Sequence, residues 1–135
     1  MADCTIDHVD IRVSDLSASL AFYEAALAPL GLHPDAEESD PAGGREIGFR
    51  KGGSTPFAIH SPAPAPGQDT VTTGAHIAFA AASRDAVQAF HDAAIANGGR
   101  SIGDPGPRAA YSRGYYGAFV LDPDGNNVEA VVHEG

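Results

Sequence analysis

The sequence predicts an α+β fold in which one β-α-β-β-β module occurs twice and the two copies pack together. Three observations support this prediction. The chain has 135 residues, of which 43% are hydrophobic, enough for one domain with a buried core. Short segments with alternating apolar residues, typical of strands, flank two stretches with the apolar period of an amphipathic helix. The second half of the chain also repeats the first.

The internal repeat covers the first strand and the helix of each half. The residues HVDI at 8–11 align with HIAF at 76–79, and AFYEAALA at 21–28 aligns with AFHDAAIA at 89–96 at the same offset of 68 residues. One such unit cannot bury both faces of its sheet, so it needs a second unit beside it. The sequence therefore predicts two paired modules in a single domain.

Module one is predicted over residues 4–60. Thr5 to Val13 alternates apolar and polar residues and predicts a strand. Ser14-Asp15 provides an N-cap for an amphipathic helix from Leu16 to Ala28, which Pro29 and Gly31 end. The remaining strands are predicted at 32–40, as an edge strand, and at 46–50 and 55–60.

Residues 61–74 predict a linker, extended by the prolines of SPAPAP, and residues 75–133 are assigned to module two. Ser83 is the predicted N-cap of its helix. Residues 103–114, GDPGPRAAYSRG, predict a long loop of the kind that often carries function. The predicted elements of module two are a strand at 75–81, the helix at 84–96, a strand at 100–102, and a hairpin of 117–121 and 127–133 joined by the turn DPDGN.

Composition and charge exclude several classes of function. The net charge is −10 and no stretch is basic, so binding to the phosphate backbone of a nucleic acid is not expected. Cys4 is the only cysteine, which leaves no disulfide framework and no thiolate metal cluster. No apolar run reaches the length of about 18 residues that predicts a membrane span, and the N-terminus lacks a signal sequence. We therefore expect a soluble cytoplasmic protein.

Two histidines and one carboxylate are predicted to share the open face of the sheet. In each first strand the apolar residues that alternate after the histidine pack under the helix, so His8 and His76 point to the opposite face. In the last strand Val128 and Ala130 take the helix side, which turns Glu129 to the open face. A carboxylate there needs a cation or hydrogen-bond donors. The three side chains form a candidate facial triad for a divalent metal, although each histidine alone is more often a hydrogen-bonded core residue.

The same residues carry a resemblance to a known family. The opening IDHVDIRVSDLSASLAFYEAALAPLGL (6–32) and the closing YYGAFVLDPDGNNVEAVVH (115–133), with the paired modules, resemble the vicinal oxygen chelate superfamily. That superfamily includes glyoxalase I, extradiol dioxygenases, fosfomycin-resistance enzymes and bleomycin-resistance proteins. The resemblance extends over nearly the whole chain. It implies a glyoxalase-like fold, in which a curved sheet forms a cleft, but it does not specify a reaction.

The resemblance also implies which residues hold a metal. In the family, the ligands come from the first and last strands of the modules, and the matching positions here are His8, His76 and Glu129. The last strand of module one has Ala58 where glyoxalase I has a glutamate, which places a four-ligand site in doubt. His60 lies two residues further along the same face. It is a fourth ligand, a substrate contact or a structural histidine at the strand end.

Four more side chains are candidates for substrate binding or catalysis. Arg12 shares the open face and is a candidate for binding a substrate carboxylate, unless it only pairs with Asp10. Tyr111 is a candidate acid near a metal-bound oxygen, and Arg108 and Tyr115 are candidate substrate contacts. These last three lie on or beside the predicted loop, so the alternative is that they only face solvent.

The predicted function is metal-dependent lyase or isomerase chemistry of the glyoxalase type, on a small substrate chelated through vicinal oxygens. The metal would be Zn, Ni, Mn, Co or Fe(II), and Fe(II) would favour extradiol-type dioxygenation. That reaction usually uses an additional histidine, which residues 103–114 lack. A non-catalytic protein that sequesters a drug or metabolite is the other alternative. Exposed sheet edges, together with the resemblance, predict a homodimer.

Overall fold

The structure, a computed structural model, describes residues 5–39, 43–61 and 71–134. Cys4 and most of the predicted linker lie outside these residues. The described residues form two modules, each with one sheet and one α-helix.

The elements follow the predicted order in both modules. Module one consists of β1 (Val9–Arg12), α1 (Leu16–Leu27), a 3₁₀ turn (Ala28–Leu30), β2 (His33–Pro34), β3 (Glu38–Ser39), β4 (Arg45–Lys51) and β5 (Ser54–His60). Module two consists of β6 (His76–Ala80), α2 (Arg84–Ala96), β7 (Arg100–Pro107), β8 (Tyr115–Leu121) and β9 (Asn127–His133).

The two sheets have the same strand order. Sheet one is ordered β1-β5-β4-β2, with β3 also paired to β4, and sheet two is ordered β6-β9-β8-β7. In each sheet the first strand runs parallel to the last. Asp10 lies opposite Ala58, and Ala78 lies opposite Glu129, so Ala58 is the structural equivalent of Glu129. The α+β fold class and the repeated β-α-β-β-β arrangement are confirmed.

Local sequence sets the helix boundaries. The Asp15 side chain accepts the backbone N–H of Ala18 at 3.1 Å at the start of α1, and Ser83 accepts that of Ala86 at 3.1 Å at the start of α2. Gly31, with a φ of 85°, ends the turn that follows α1. None of the helices in the described residues has the length and apolar character needed to cross a membrane.

The two helices pack against each other, and the apolar faces of both sheets close on them to form one core. Tyr23 of α1 is fully buried, and its ring centroid lies 4.8 Å from that of Phe22 and 5.0 Å from that of Phe57. Phe57 also contacts Phe79 of module two edge-on at 5.3 Å. Because aromatic rings from both modules interdigitate, neither module has a complete core alone.

A buried polar network joins α1 to the hairpin turn of module two. The Tyr23 hydroxyl donates to Asp122 Oδ2 at 2.5 Å. Asp122 Oδ1 accepts the backbone N–H groups of Asp124 and Asn126, both at 2.9 Å. Asn126 Nδ2 donates to the Thr72 carbonyl at 2.9 Å. The turn is therefore fixed by its own first aspartate and anchored to module one by Tyr23.

The prediction of a long loop at 103–114 is wrong in its first half. β7 continues to Pro107, which pairs with Tyr116 of β8. β7 is an edge strand of sheet two and its register shifts twice, so the prolines and glycines of GDPGP occupy irregular positions that a sheet edge tolerates. The loop itself comprises only residues 108–114. The edge strand predicted at 32–40 is present as the two short strands β2 and β3.

Asp122→Ala should lower the free energy of unfolding by about 2–4 kcal/mol, because the buried Tyr23 hydroxyl loses its acceptor and the turn loses its backbone caps. The matched control is Asp92→Ala on the exposed face of α2, which should cost less than about 0.5 kcal/mol. Urea unfolding followed by circular dichroism measures both. Equal unfolding free energies for the two variants would contradict the anchoring role of the network.

Candidate functional site

Glu129 is the carboxylate at the centre of the candidate site. On β9, Val128 and Ala130 are buried on the helix side, so the Glu129 side chain lies on the opposite face of sheet two. It is nevertheless only 1% exposed. Its neighbours across the strands are Ala78 on β6 and Phe119 on β8. A carboxylate this deeply buried is destabilising unless donors or a cation compensate its charge.

Two side chains compensate the buried carboxylate. His76 Nε2 lies 2.8 Å from Glu129 Oε1, and the Tyr115 hydroxyl donates to Oε2. Because an ionised carboxylate only accepts hydrogen bonds, the imidazole tautomer with its proton on Nε2 is the one that would stabilise the charge of Glu129. The His76 side chain is 53% exposed and forms the outer surface of the pair. Gly117 leaves room for the arrangement, since a Cβ there would lie 3.2 Å from the Tyr115 ring and 3.3 Å from Oε2.

Tyr115 is a hydrogen-bond donor at neutral pH. Desolvation first, and then the hydrogen bond and negative charge of Glu129, raise the pKa of Tyr115 well above its ordinary value. The positive charge of Arg108 opposes this rise in pKa in part. The hydroxyl therefore keeps its proton and holds one carboxylate oxygen in place.

Aromatic rings and one arginine surround the Glu129–His76 pair. The Tyr111 ring contacts that of Tyr115 edge-on at 5.1 Å between centroids and that of Phe119 at 6.4 Å. Phe119 lies 6.1 Å from the His76 ring, and the Arg108 guanidinium lies over Phe119 at 5.4 Å. The structure thus brings together the three candidates predicted on or beside the loop. We give the name Glu129 site to the Glu129 carboxylate and the five residues around it, which are His76, Arg108, Tyr111, Tyr115 and Phe119.

His8 lies apart from the Glu129 site. Its ring is 56% exposed, and Nδ1 lies 2.7 Å from the Asp7 carboxylate. That hydrogen bond, followed by the charge of Asp10, raises the pKa of His8. His8 lines a cavity of about 580 Å³ on sheet one, whereas His76 lines a second cavity of about 540 Å³ between the modules. Among the described residues, no three His, Cys, Asp or Glu side chains are close enough together to hold a metal ion.

His60 lies between two carboxylates on the open face of sheet one. Its Nε2 is 3.1 Å from Asp10 Oδ2 and 3.3 Å from Glu46 Oε2. Arg12 is the register partner of His60 on β1, and its Nη1 is buried without a partner in the part of the chain that the structure describes. Asp10 therefore pairs with His60, and the Arg12 guanidinium keeps an unused donor.

Phe119 and Glu46 are two neighbours of the candidate residues that the sequence did not predict. Phe119 lies opposite Glu129 across the final hairpin, and counting outward from the DPDGN turn would have found it. Glu46 lies opposite His60 across β4 and β5. A register shift between Phe49 and Lys51 displaces that pairing, so counting outward from the turn between these strands would have misplaced Glu46.

Comparisons with known proteins identify one family. Residues 5–130 match the model of the Glyoxalase/Bleomycin resistance protein/Dioxygenase superfamily. No curated protein matches the sequence. Among solved structures, a glyoxalase/bleomycin resistance protein from Albidiferax ferrireducens T118 is 33% identical, with 96% of this chain and 99% of that chain covered and a TM-score of 0.75.

Two more distant structures share the fold. A glyoxalase/bleomycin resistance protein/dioxygenase family enzyme from Burkholderia phytofirmans PsJN is 21% identical, with 97% of this chain and 100% of that chain covered and a TM-score of 0.69. Glyoxalase I from Zea mays is 23% identical with a TM-score of 0.68; 94% of this chain is covered, but only 45% of the maize chain. From the match over nearly the whole chain and the two repeated modules, we conclude that the chain belongs to the glyoxalase/bleomycin resistance protein/dioxygenase superfamily.

Proposed function

We propose that the protein is a metal-dependent enzyme of the glyoxalase type, with lyase or isomerase chemistry on a small substrate that binds through vicinal oxygens. The observation that carries this proposal is the buried Glu129 carboxylate, whose oxygens are shared between His76 and Tyr115. Imidazole nitrogen and carboxylate oxygen are donors that suit Zn, Ni, Mn, Co and Fe(II). Buried ionisable groups with specific partners are also typical of functional sites.

His76 and Glu129 supply only two ligands, and we propose that His8 of a second copy of the chain supplies the third. Within one chain His8 lines a different cavity from His76, and its ring is 56% exposed. β6, which carries His76, is an edge strand of sheet two, so no strand of that sheet pairs with its outer side. A two-fold homodimer of this kind contains two identical sites.

When bound, the metal would supply Lewis acidity that stabilises negative charge on substrate oxygens. The residues of the chain bind and orient the substrate and move protons. Glu129 is the proposed catalytic carboxylate, and because Tyr115 holds its Oε2, the oxygen on the His76 side is the one that would face the metal and the substrate. Tyr111 is the proposed acid at the outer rim of the site. The proposed substrate contacts are Arg12, His60, Arg108 and Tyr115.

Metal content distinguishes this proposal from the two alternatives. Iron(II) at the same ligands would favour extradiol-type dioxygenation. A protein that only sequesters a drug or metabolite would need no metal. Elemental analysis of untagged protein therefore decides among the three classes before any substrate is known.

Glu129→Gln should fold normally but bind its divalent ion at least about tenfold more weakly, because the amide keeps the size of the side chain and removes its charge. His76→Ala and His8→Ala should have the same effect, since each removes one ligand. Metal stoichiometry by elemental analysis measures the loss, and circular dichroism provides the folding control.

The matched control for the ligand variants is His33→Ala, because His33 is exposed on the edge strand β2 of sheet one. This variant should retain its full metal content. Full metal occupancy in all three folded ligand variants would end the metalloenzyme proposal and leave a scaffold used for binding alone.

His60→Ala should leave the metal content unchanged and weaken substrate binding about three- to tenfold, the scale of one lost hydrogen bond. A suitable probe is 4-nitrocatechol, whose adjacent phenolic oxygens chelate a metal and whose absorbance reports binding. A metal loss as large as that of His76→Ala would make His60 a ligand instead. Unchanged metal and unchanged probe binding would make it a structural histidine.

A further inference from the structure

A cation at the rim of the Glu129 site has no carboxylate partner among the described residues. Arg108 is half-buried, and its guanidinium donates to the backbone carbonyls of Asp104 at 2.6 Å and Pro107 at 3.2 Å. Its Cζ lies over the Phe119 ring, 5.4 Å from the ring centroid. Two backbone acceptors and a ring fix the position of this side chain but supply no carboxylate to pair with its charge. A guanidinium has five N–H donors, so several remain available to a ligand.

An exposed aromatic ring stands next to this cation. Tyr111 is 64% exposed, the most exposed of the large hydrophobic residues in the described part of the chain. It is nevertheless held on two sides, by the Tyr115 ring at 5.1 Å and the Phe119 ring at 6.4 Å. A ring that is oriented by its neighbours and open to solvent can stack on a planar ligand with little loss of conformational freedom.

The charge and the ring are complementary to one class of small molecule. A guanidinium fork pairs with a carboxylate through two parallel hydrogen bonds, and an oriented tyrosine ring stacks on an arene. The chain carries a net charge of −10, which repels anions in general, so an arginine without a direct ion pair among the described residues is a local exception. The ligand that uses both features carries an anionic group on or next to a planar ring.

We propose that Arg108, Tyr111 and Phe119 form a subsite for an aromatic carboxylate, with the carboxylate on Arg108 and the arene against Tyr111. The subsite proposal rests on the proposed function in one respect only, which is that it makes this ligand the substrate of the Glu129 site. The substrate is then an aromatic acid whose vicinal oxygens point toward Glu129 and His76, and the subsite determines specificity by fixing the carboxylate end of the molecule on Arg108.

The test uses the full chain after metal has been removed with a chelator and the chelator dialysed away. The probes are benzoate, cyclohexanecarboxylate, which lacks the planar ring, and benzyl alcohol, which lacks the charge. In NMR titrations, benzoate should bind at least about threefold more tightly than cyclohexanecarboxylate and about tenfold more tightly than benzyl alcohol. Because none of the probes has vicinal oxygens, the result does not depend on a metal.

Two variants and one control complete the test. Arg108→Gln should weaken benzoate binding about tenfold by removing the charged fork. Tyr111→Leu should abolish the preference for benzoate over cyclohexanecarboxylate while retaining apolar contact. Arg100→Gln, an exposed arginine at the far end of β7, makes the same change of charge and should alter benzoate binding less than about twofold.

Benzoate binding that is undetectable in the unmodified chain, or unchanged in folded Arg108→Gln, would overturn the subsite. Equal affinity for benzoate and cyclohexanecarboxylate would overturn its aromatic half. If the protein proves to hold no metal but the benzoate pattern is as expected, the subsite stands and the proposed enzymatic function fails. If metal binds at Glu129 and benzoate does not bind, the proposed enzymatic function stands and the subsite fails.

Discussion

The burial of the Glu129 carboxylate is the constraint on which the rest of the candidate site depends. Removing an ionised carboxylate from water costs roughly several kcal/mol unless hydrogen-bond donors or cations pair with it. His76 on β6 and Tyr115 on β8 form hydrogen bonds with it, and these two strands flank β9. The pair therefore forms only when three strands of sheet two are held in register. That register in turn depends on the packing of the opposite face, where Val128 and Ala130 enter the core.

The core that holds sheet two in place belongs to both modules. The ring of Tyr23 packs among the aromatic residues of module one, while its hydroxyl binds Asp122 at the turn that precedes β9. The position of Glu129 along β9 is thus tied to α1 of the other module. Gly117 contributes on the site side, because a larger residue there would crowd both Tyr115 and the carboxylate. Stability of the fold and geometry of the site are consequently coupled through the final hairpin.

Sequence patterns predicted the features that depend on local chemistry. Alternation placed His76 and Glu129 on one face, and the structure joins them at 2.8 Å. The length of β7 could not be predicted, because an irregular edge strand accommodates prolines and glycines that elsewhere predict a loop. The relation of His8 to the pair could not be fixed either. The distance between His8 and the Glu129–His76 pair depends on how modules and chains are placed relative to one another. The alternation of residues along a single strand carries no information about that placement.

The central claim is that His8 of one chain completes the Glu129 site of another, and the most direct test combines two defective chains. His8→Ala and Glu129→Gln chains, co-expressed with different tags, yield a heterodimer that two affinity steps isolate. In it the Glu129→Gln chain supplies an intact His8 to the intact His76 and Glu129 of the other chain, so one of the two sites is whole. We predict about half of the metal content of the unmodified dimer, against little in either variant homodimer. Heterodimer metal content as low as that of the homodimers would contradict the claim.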